Sequence, residues 1–463
     1  MYRKNAWEQY TPEQLAEVFA FADRYKAYLD AGKTERECVA EAVRIAEAAG
    51  FTNLDDAIRQ GRSIKAGDRV YRNWMDKDIM LFIVGEKCLQ EGMNILGAHI
   101  DSPRIDVKQN PLYEDEGLAY LDTHYYGGIK KYQWVATPMA IHGVICKKDG
   151  TRVDVSVGEK DDDPVFYISD LLIHLAADQM GQPASKVIEG EALNVIIGSM
   201  PLKDEEKDAV KANVLALLKD TYGVEEEDFI SAELEIVPAG RSRDVGFDRS
   251  LIAGYGHDDR VCAYPSMAAV LDYEGTPEYT LCAVLCDKEE IGSVGATGMA
   301  SDFFENTASE LYHVVHGYNA LGVKRMLQNS RMLSSDVSAG FDPNFAGSFE
   351  KKNAAIVGHG VCFNKFTGAR GKSGSNDANP EFIAQLRGIM DDANVAWQTA
   401  ELGRVDAGGG GTIAYMCAKY GMNVIDCGVA VLSMHAPWEL ISKADLYEEY
   451  KAYCAFLKGA RAL

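Results

Sequence analysis

The segment Cys286-Asp287-Lys288-Glu289-Glu290-Ile291-Gly292-Ser293 places two adjacent carboxylates between an apolar run and a glycine turn. The apolar run, residues 279–285, predicts a buried strand that ends where the carboxylates begin. One carboxylate at such a strand end can bind a metal ion, while its neighbour takes a proton from metal-bound water. Because Glu-Glu pairs are also common on solvated surfaces, the pair indicates a hydrolytic metal site only together with further ligands.

Five more side chains that bind metals or orient ligands lie at the ends of apolar, strand-like segments or just before a helix. They are His99, Asp101, Asp258, Asp336 and His435. His99 and Asp101 are two residues apart in an extended segment, so both point to one side and Asp101 can orient the imidazole. Asp258 precedes a predicted helix and can bridge two ions. Nitrogen and oxygen ligands of this mix suit zinc, and also cobalt or manganese.

Each of these residues alone also fits a purely structural interpretation. Asp101 and Asp336 are typical turn formers, and Asp258 is a typical helix N-cap. His435 fits a core histidine, and His257 fits an outer position around the site or one facing solvent. The order of the whole set favours a metal site over these separate interpretations.

The composition excludes several classes of protein. A formal net charge of -23 argues against a general nucleic-acid binder, which needs a basic face. No apolar stretch is long enough to span a bilayer, and residues 1–8 lack the apolar core of a signal peptide. These two features make a cytoplasmic location the expectation. The ten cysteines form no CxxC pair, which argues against a zinc ribbon or a thioredoxin motif, and we expect most of them to be reduced and buried.

The pattern along the chain predicts an α/β protein with an insertion. Capping boxes start helices at Thr11 and Thr34, and strands are expected at 79–84, 93–98, 395–400 and 424–434. Helices are expected near 202–220 and over 261–273 and 412–420. We assign residues 1–105 and 246–463 to a catalytic domain and residues 106–245 to an inserted domain for dimerisation and substrate access.

The order of these motifs resembles the aspartyl aminopeptidase family of dinuclear zinc exopeptidases. The matching segments are 97–103, Asp258-Asp259, 289–293, Ser335-Asp336-Val337 and Met434-His435. The resemblance implies a phosphorylase/hydrolase-like α/β/α sandwich around a mixed sheet, with a smaller β-rich inserted domain. It also implies dimers that build a tetrahedral dodecamer and peptide substrates with a free N-terminus.

The resemblance further implies a role for each matching residue. His99 and Glu290 are terminal ligands of opposite metals, Asp258 bridges the metals, and Asp336 and His435 complete the two ligand sets. Glu289 is the general base for a water bound to both metals, and Asp101 holds His99. A histidine from the inserted domain of a neighbouring subunit reaches the site, and the segment 168–175 makes His174 the candidate; a buried helix histidine is the alternative.

The chain departs from the family pattern beside the bridging aspartate. Many members have Leu-Asp-Asn where this chain has His257-Asp258-Asp259, so an acidic substrate preference is not inherited directly. Residues 368–376 either supply a cation for an acidic side chain or form a solvated loop. The competing functions are another dinuclear hydrolase (an N-acyl amino acid deacylase, a carboxypeptidase or a broad peptidase), a catalytically silent shell protein and a metal store or sensor.

Overall fold

The computed structural model describes residues 4–463 of the chain, which form two compact units. The first unit contains the chain up to Asp101, with Ser242–Met434 and Glu439–Leu463, and the second contains Ser102–Arg241 and His435–Trp438. Residues 1–3 lie outside the described residues. They belong to the segment 1–8, for which the sequence predicts no signal peptide. Among the described helices, none has the length and apolarity to cross a membrane. The predicted domain limits, with an inserted domain over 106–245, stay a prediction.

The described residues form 21 strands. They are β1 Thr52–Asn53, β2 Arg69–Trp74, β3 Asp78–Ile83, β4 Met93–His99, β5 Arg104–Asp115, β6 Leu118–Tyr126, β7 Pro138–Cys146, β8 Arg152–Val157, β9 Phe166–Tyr167, β10 Val195–Gly198, β11 Ala232–Pro238, β12 Arg243–Val245, β13 Leu251–Gly254, β14 Thr280–Cys286, β15 Arg331–Ser334, β16 Ser338–Ala339, β17 Val361–Asn364, β18 Trp397–Thr399, β19 Asn423–Gly428, β20 Ala430–Val431 and β21 Glu439–Ser442.

The same residues form 12 α-helices. They are α1 Pro12–Ala31, α2 Glu35–Ala48, α3 Leu54–Arg59, α4 Ala177–Met180, α5 Ala209–Tyr222, α6 His257–Leu271, α7 Phe303–His316, α8 Ala320–Gln328, α9 Ala369–Lys372, α10 Pro380–Asp392, α11 Ala414–Ala418 and α12 Lys443–Gly459. Both predicted capping boxes are present, at Thr11 and Thr34.

The first unit is built on a nine-stranded mixed sheet in the order β1-β2-β3-β14-β4-β15-β19-β17-β18. Strands β14, β4, β15 and β19 run parallel at its centre, while β3 and β17 run antiparallel to their inner neighbours. Successive residues of β3 enter opposite cores: Leu81 packs in the core that contains α1, α6 and α12 residues, and Phe82 packs in the core that contains α7 and α8 residues. Because helices cover both faces, the central strands are apolar along their whole length. The predicted α/β/α sandwich is confirmed.

The second unit is β-rich. Its seven-stranded sheet has the order β11-β5-β6-β10-β9-β7-β8, and an additional pairing of β11 with β7 closes the sheet on itself. The strands pair antiparallel throughout this sheet. This pairing gives the otherwise open edge of β11 a partner strand, while β8 stays at an edge of the sheet.

Several predicted elements have different limits in the structure. The helix expected near 202–220 begins only at Ala209 and ends at Tyr222, and the left-handed backbone of Gly223 forms its C-cap. The helix expected over 412–420 is limited to Ala414–Ala418, after a run of glycines, and the strand expected over 395–400 to Trp397–Thr399. The strand expected over 424–434 is divided into β19 and β20.

Candidate metal centre and active site

The candidate site of the first unit lies at the carboxyl ends of its central parallel strands. His99 is the last residue of β4 and pairs in register with Cys286, the last residue of β14. The turn Glu289–Ile291 follows β14, and Asp336 follows β15. The carboxyl ends of parallel strands share one edge of a sheet, which is the usual place for ligands in α/β folds.

Three of the predicted ligands converge at this edge. Potential ligand atoms of His99, Asp258 and Asp336 all lie within 4.8 Å of one another. Within this group, His99 Nε2 lies 3.1 Å from Asp258 Oδ1. A carboxylate oxygen of Glu290 also lies within 4.8 Å of one of Asp258. The structure therefore places Asp258 close to both His99 and Glu290, as a bridging residue requires.

Asp101 connects the histidine to the two glutamates. One of its carboxylate oxygens lies 3.3 Å from His99 Nδ1. The same carboxylate accepts hydrogen bonds from the backbone N–H groups of Glu289, at 3.1 Å, and Glu290, at 3.2 Å. The predicted role of orienting His99 fits this geometry, and the contacts with the glutamate turn were not foreseen from the sequence.

The electrostatics of the cluster favour a bound cation. Burial, and then the negative charges of Glu289, Asp259 and Asp258, raise the pKa of Asp336 well above its ordinary value. Burial alone would lower the pKa of His99, but the hydrogen bonds with Asp101 and Asp258 outweigh it and raise this pKa well above the ordinary value. Negative charges on neighbouring buried carboxylates are unfavourable unless a positive charge lies beside them.

The donor set fits a divalent metal. One imidazole nitrogen and several carboxylate oxygens lie close together at an edge of the sheet, and burial together with the neighbouring carboxylates raises the pKa of Asp336. Zinc takes this mixture of nitrogen and oxygen ligands. A divalent cation among these residues would remove the repulsion between the carboxylates.

Two residues beyond the predicted set shape this cluster. Glu439, buried at the start of β21, accepts a hydrogen bond from the backbone N–H of Asp258 at 2.9 Å. Gly428 ends β19 where a Cβ atom would stand 2.1 Å from the carbonyl oxygen of Asp336. Side chains are therefore excluded at Gly428, and the predicted strand over 424–434 breaks there. A charged residue in the apolar segment Trp438-Glu439-Leu440-Ile441 was the sequence signal for Glu439.

A model of the family described as aminopeptidase I zinc metalloprotease (M18) matches residues 28–457. The chain belongs to the M18 family of zinc aminopeptidases. A probable M18 family aminopeptidase 1 of Clostridium acetobutylicum is 59% identical over 457 residues, covering 98% of both chains. The family assignment confirms the resemblance to aspartyl aminopeptidases and the zinc-dependent aminopeptidase activity, and it favours this activity over the deacylase and silent-shell alternatives.

Solved structures of M18 relatives share this fold. The crystal structure of aminopeptidase I from Clostridium acetobutylicum is 58% identical, with a TM-score of 0.92 and 99% of each chain covered. The M18 aminopeptidase structure from Thermotoga maritima is 44% identical, with a TM-score of 0.94, covering 99% of this chain and 100% of that one. The likeness extends over both units, each of which has its counterpart within the matched length.

The two remaining predicted site histidines lie in the second unit. His435 belongs to the short segment His435–Trp438, and its Nδ1 lies 2.7 Å from the carbonyl oxygen of Gly128. His174 lies in the single turn Ile173–Leu175 and is exposed, so the alternative of a buried helix histidine is wrong. Their roles at the metal centre stay predictions.

Two further alternatives concern residues of the first unit. His257 is fully buried between the Tyr25 hydroxyl, 2.7 Å from Nδ1, and the Ile252 carbonyl, so the solvent-facing interpretation is wrong. Burial lowers the pKa of His257 to about 3, which keeps the ring neutral. In the segment 368–376, Lys372 pairs with Asp377 at 2.9 Å and is 42% exposed, as expected of a solvated loop.

Proposed function

We propose that Glu289 is the general base of this aminopeptidase and that the cluster around Asp258 holds two divalent ions. The main support for this assignment is the position of the Glu289 carboxylate, whose Oε2 lies 4.0 Å from His99 Nε2. This side chain is 16% exposed, whereas those of His99 and Asp101 are almost fully buried. Of these three groups, Glu289 is therefore the one best able to meet a water molecule and a peptide.

The proposed ligands divide between the two ions. His99 and Glu290 would each hold one of the two ions, Asp258 would help to hold both, and Asp336 and His435 would complete the sets. When bound, zinc supplies Lewis acidity, which polarises the scissile carbonyl and activates water. His435 suits this role because its Nδ1 donates a hydrogen bond to the Gly128 carbonyl, which fixes the orientation of the ring.

Residues of the chain transfer the proton and hold the groups that take part in the transfer. Glu289 accepts a proton from the attacking water and donates it to the amine that leaves when the first peptide bond breaks. Asp101 holds the backbone of Glu289 and Glu290, so that base and ligand keep a fixed separation. The product is one free N-terminal amino acid and a shortened peptide.

The test is the substitution Glu289→Gln, which keeps the size of the side chain and removes its basicity. We expect kcat for release of an N-terminal residue to fall by about 10²–10⁴-fold, the usual contribution of acid–base catalysis. Zinc content should stay at the wild-type value, because position 289 lies outside the proposed ligand set. Glu381→Gln, at an exposed position of α10, is the matched control. Full turnover of Glu289→Gln with wild-type zinc would remove Glu289 from this role.

We also propose that the predicted insert 106–245, which contains most of the second unit, joins subunits and supplies His174 to a neighbouring site. Consecutive apolar residues beside His174 are exposed: Leu172 by 53%, Ile173 by 67% and Leu175 by 68%. Exposed apolar patches of this kind mark contacts between proteins. A tetrahedral dodecamer built from dimers is the proposed assembly; a yeast protein of the same fold, 19% identical with a TM-score of 0.76, is described as a dodecamer.

The proposed compartment is the cytoplasm. All ten cysteines are free thiols in the described part of the chain, and seven of them are buried. Thiols persist in reducing compartments, whereas secreted proteins oxidise them to disulfides.

A further inference from the structure

The turn that carries Glu289 and Glu290 is organised around Lys288. The backbone of Lys288 is left-handed, with φ 70°, which reverses the chain directly after β14. Its carbonyl oxygen accepts hydrogen bonds from the N–H groups of Ile291, at 3.3 Å, and Ser293, at 2.6 Å. These hydrogen bonds join the start of the turn, at Lys288, to its end, at Ile291 and Ser293. Glu289 and Glu290 lie between these two points.

The side chain of Lys288 closes a second ring. Its ammonium group donates to the carboxylate of Asp287 and to the hydroxyl of Thr297, the latter at 2.8 Å. The Thr297 hydroxyl in turn donates to Asp287 Oδ2 at 2.6 Å. We call these three residues the clasp, because they join the start of the turn to a residue ten positions later.

The clasp is attached to the central sheet. The backbone N–H of Asp287 donates to Asp78 Oδ1 at 2.9 Å, and Asp78 is the first residue of β3. Asp78, Asp287 and Thr297 are all buried, with at most 3% of each residue exposed. The turn is therefore held on one side by the clasp and on the other by the carboxylate of Asp101.

The clasp also balances charge. Burial, and then the negative charges of Glu35 and Asp101, raise the pKa of Asp287 above its ordinary value. Lys288 forms the closest ion pair with this carboxylate, and the next ammonium group, that of Lys77, lies 4.0 Å away. A buried ionised carboxylate without such a partner is strongly destabilising.

We propose that Lys288 and Thr297 are positioning residues that hold the Glu289 carboxylate at its working place. This inference rests on the proposed role of Glu289 as base. Neither residue needs to touch the substrate, because the clasp acts through the backbone of the turn. A displacement of a catalytic group by about 1 Å can cost about 10²-fold in rate.

The test compares Lys288→Met, Thr297→Val, their double variant and Lys288→Arg by steady-state kinetics on an aminoacyl-arylamide, with zinc measured on each protein. We expect Lys288→Met to lower kcat by about 10–100-fold, with KM and zinc content near wild type. Thr297→Val should lower kcat less, and the double variant should be no slower than Lys288→Met. Lys288→Arg should recover part of the loss, because it restores the charge in a different geometry.

Lys324→Met, on the exposed side of α8, is the control for loss of a lysine. Wild-type kcat in Lys288→Met would overturn the proposal, and so would losses in the two single variants that multiply in the double variant. If Lys288→Met does not fold, Thr297→Val decides: reduced kcat with full zinc supports the clasp, and unchanged kcat rejects it. Failure of the clasp is distinct from failure of the base, because Glu289→Gln would still be inactive in the first case and active in the second.

Discussion

The two units differ in where buried carboxylates and neighbouring exposed apolar side chains are concentrated. The first unit buries carboxylates in its interior: Asp78, Asp101, Asp259, Asp287, Asp426, Asp445 and Glu449. The second unit exposes large apolar side chains: Leu171, Leu172, Ile173, Leu175, Met180 and Met200. Each arrangement is unfavourable for an isolated protein in water, and each is expected where a binding partner compensates for it.

This difference indicates which kind of binding partner each unit has. Buried carboxylates around His99 are stabilised by cations, so the first unit is the place for metals. Exposed leucine and isoleucine side chains are stabilised by contact with another protein, so the second unit is the place for a neighbouring subunit. The predictions below test one side of this contrast at a time.

The largest effect is expected from removing apolar surface in the second unit. Replacing Leu172 and Ile173 together by serine should dissociate the assembly, because together they expose a continuous apolar surface next to His174. Light scattering coupled to size-exclusion chromatography measures the mass. Leu217→Ser, at a 55% exposed leucine of α5 in the same unit, is the control. A double variant with the mass of the wild type would show that this surface is not an interface.

A smaller effect is expected from His174→Ala. An imidazole that stabilises charge developing on the substrate contributes about 10²–10³-fold, so kcat should fall by that factor with zinc unchanged. Mixing His174→Ala chains with Glu289→Gln chains and letting subunits exchange should restore activity, because each chain then provides the group that the other lacks. His124→Ala, another exposed histidine of the second unit, is the control. No recovery on mixing would contradict a role in a neighbouring site.

The smallest effect concerns pH and a buried carboxylate of the first unit. Asp426 in β19 accepts a hydrogen bond from the Thr412 hydroxyl at 2.6 Å, yet burial raises the pKa of Asp426 to about 7. Its pKa in the unfolded chain is about 3.9, so the folded protein loses stability as pH rises from about 4 through about 7.

Asp426→Asn should remove this loss. Between about pH 5 and about pH 8, the stability of the variant should rise relative to that of the wild type by at most about 3 kcal/mol. Urea unfolding at the two pH values measures the difference, with Glu381→Gln as the exposed control. An equal change in the wild type and Asp426→Asn would show that Asp426 does not titrate in this range.

The sequence predicts the parts of the fold that depend on near neighbours. The capping boxes at Thr11 and Thr34 need only residues three positions apart, and both form. The continuous apolar runs before His99 and before Asp287 predict central strands, because both of their faces are covered by helices. Family motifs then identify the residues that meet at the strand ends.

The parts that the sequence does not predict depend on contacts between distant segments. The break at Gly428 follows from its approach to the Asp336 carbonyl, and no local pattern announces it. The Asp101 carboxylate accepts a hydrogen bond from the backbone N–H of Glu289, which lies 188 positions later in the chain. His257 is buried against Tyr25, a residue far from it in the sequence. The residues next to His257 in the sequence therefore do not predict its burial.

The most direct test of the metal centre is the zinc content of Asp258→Ala after extensive dialysis, measured beside the wild type and Glu381→Gln. Asp258 lies next to both His99 and Glu290, so its removal should weaken both metal positions. We expect two zinc ions per chain in the wild type and the control, and a clear loss of zinc in a folded Asp258→Ala chain. Two zinc ions retained by Asp258→Ala would contradict the proposed centre.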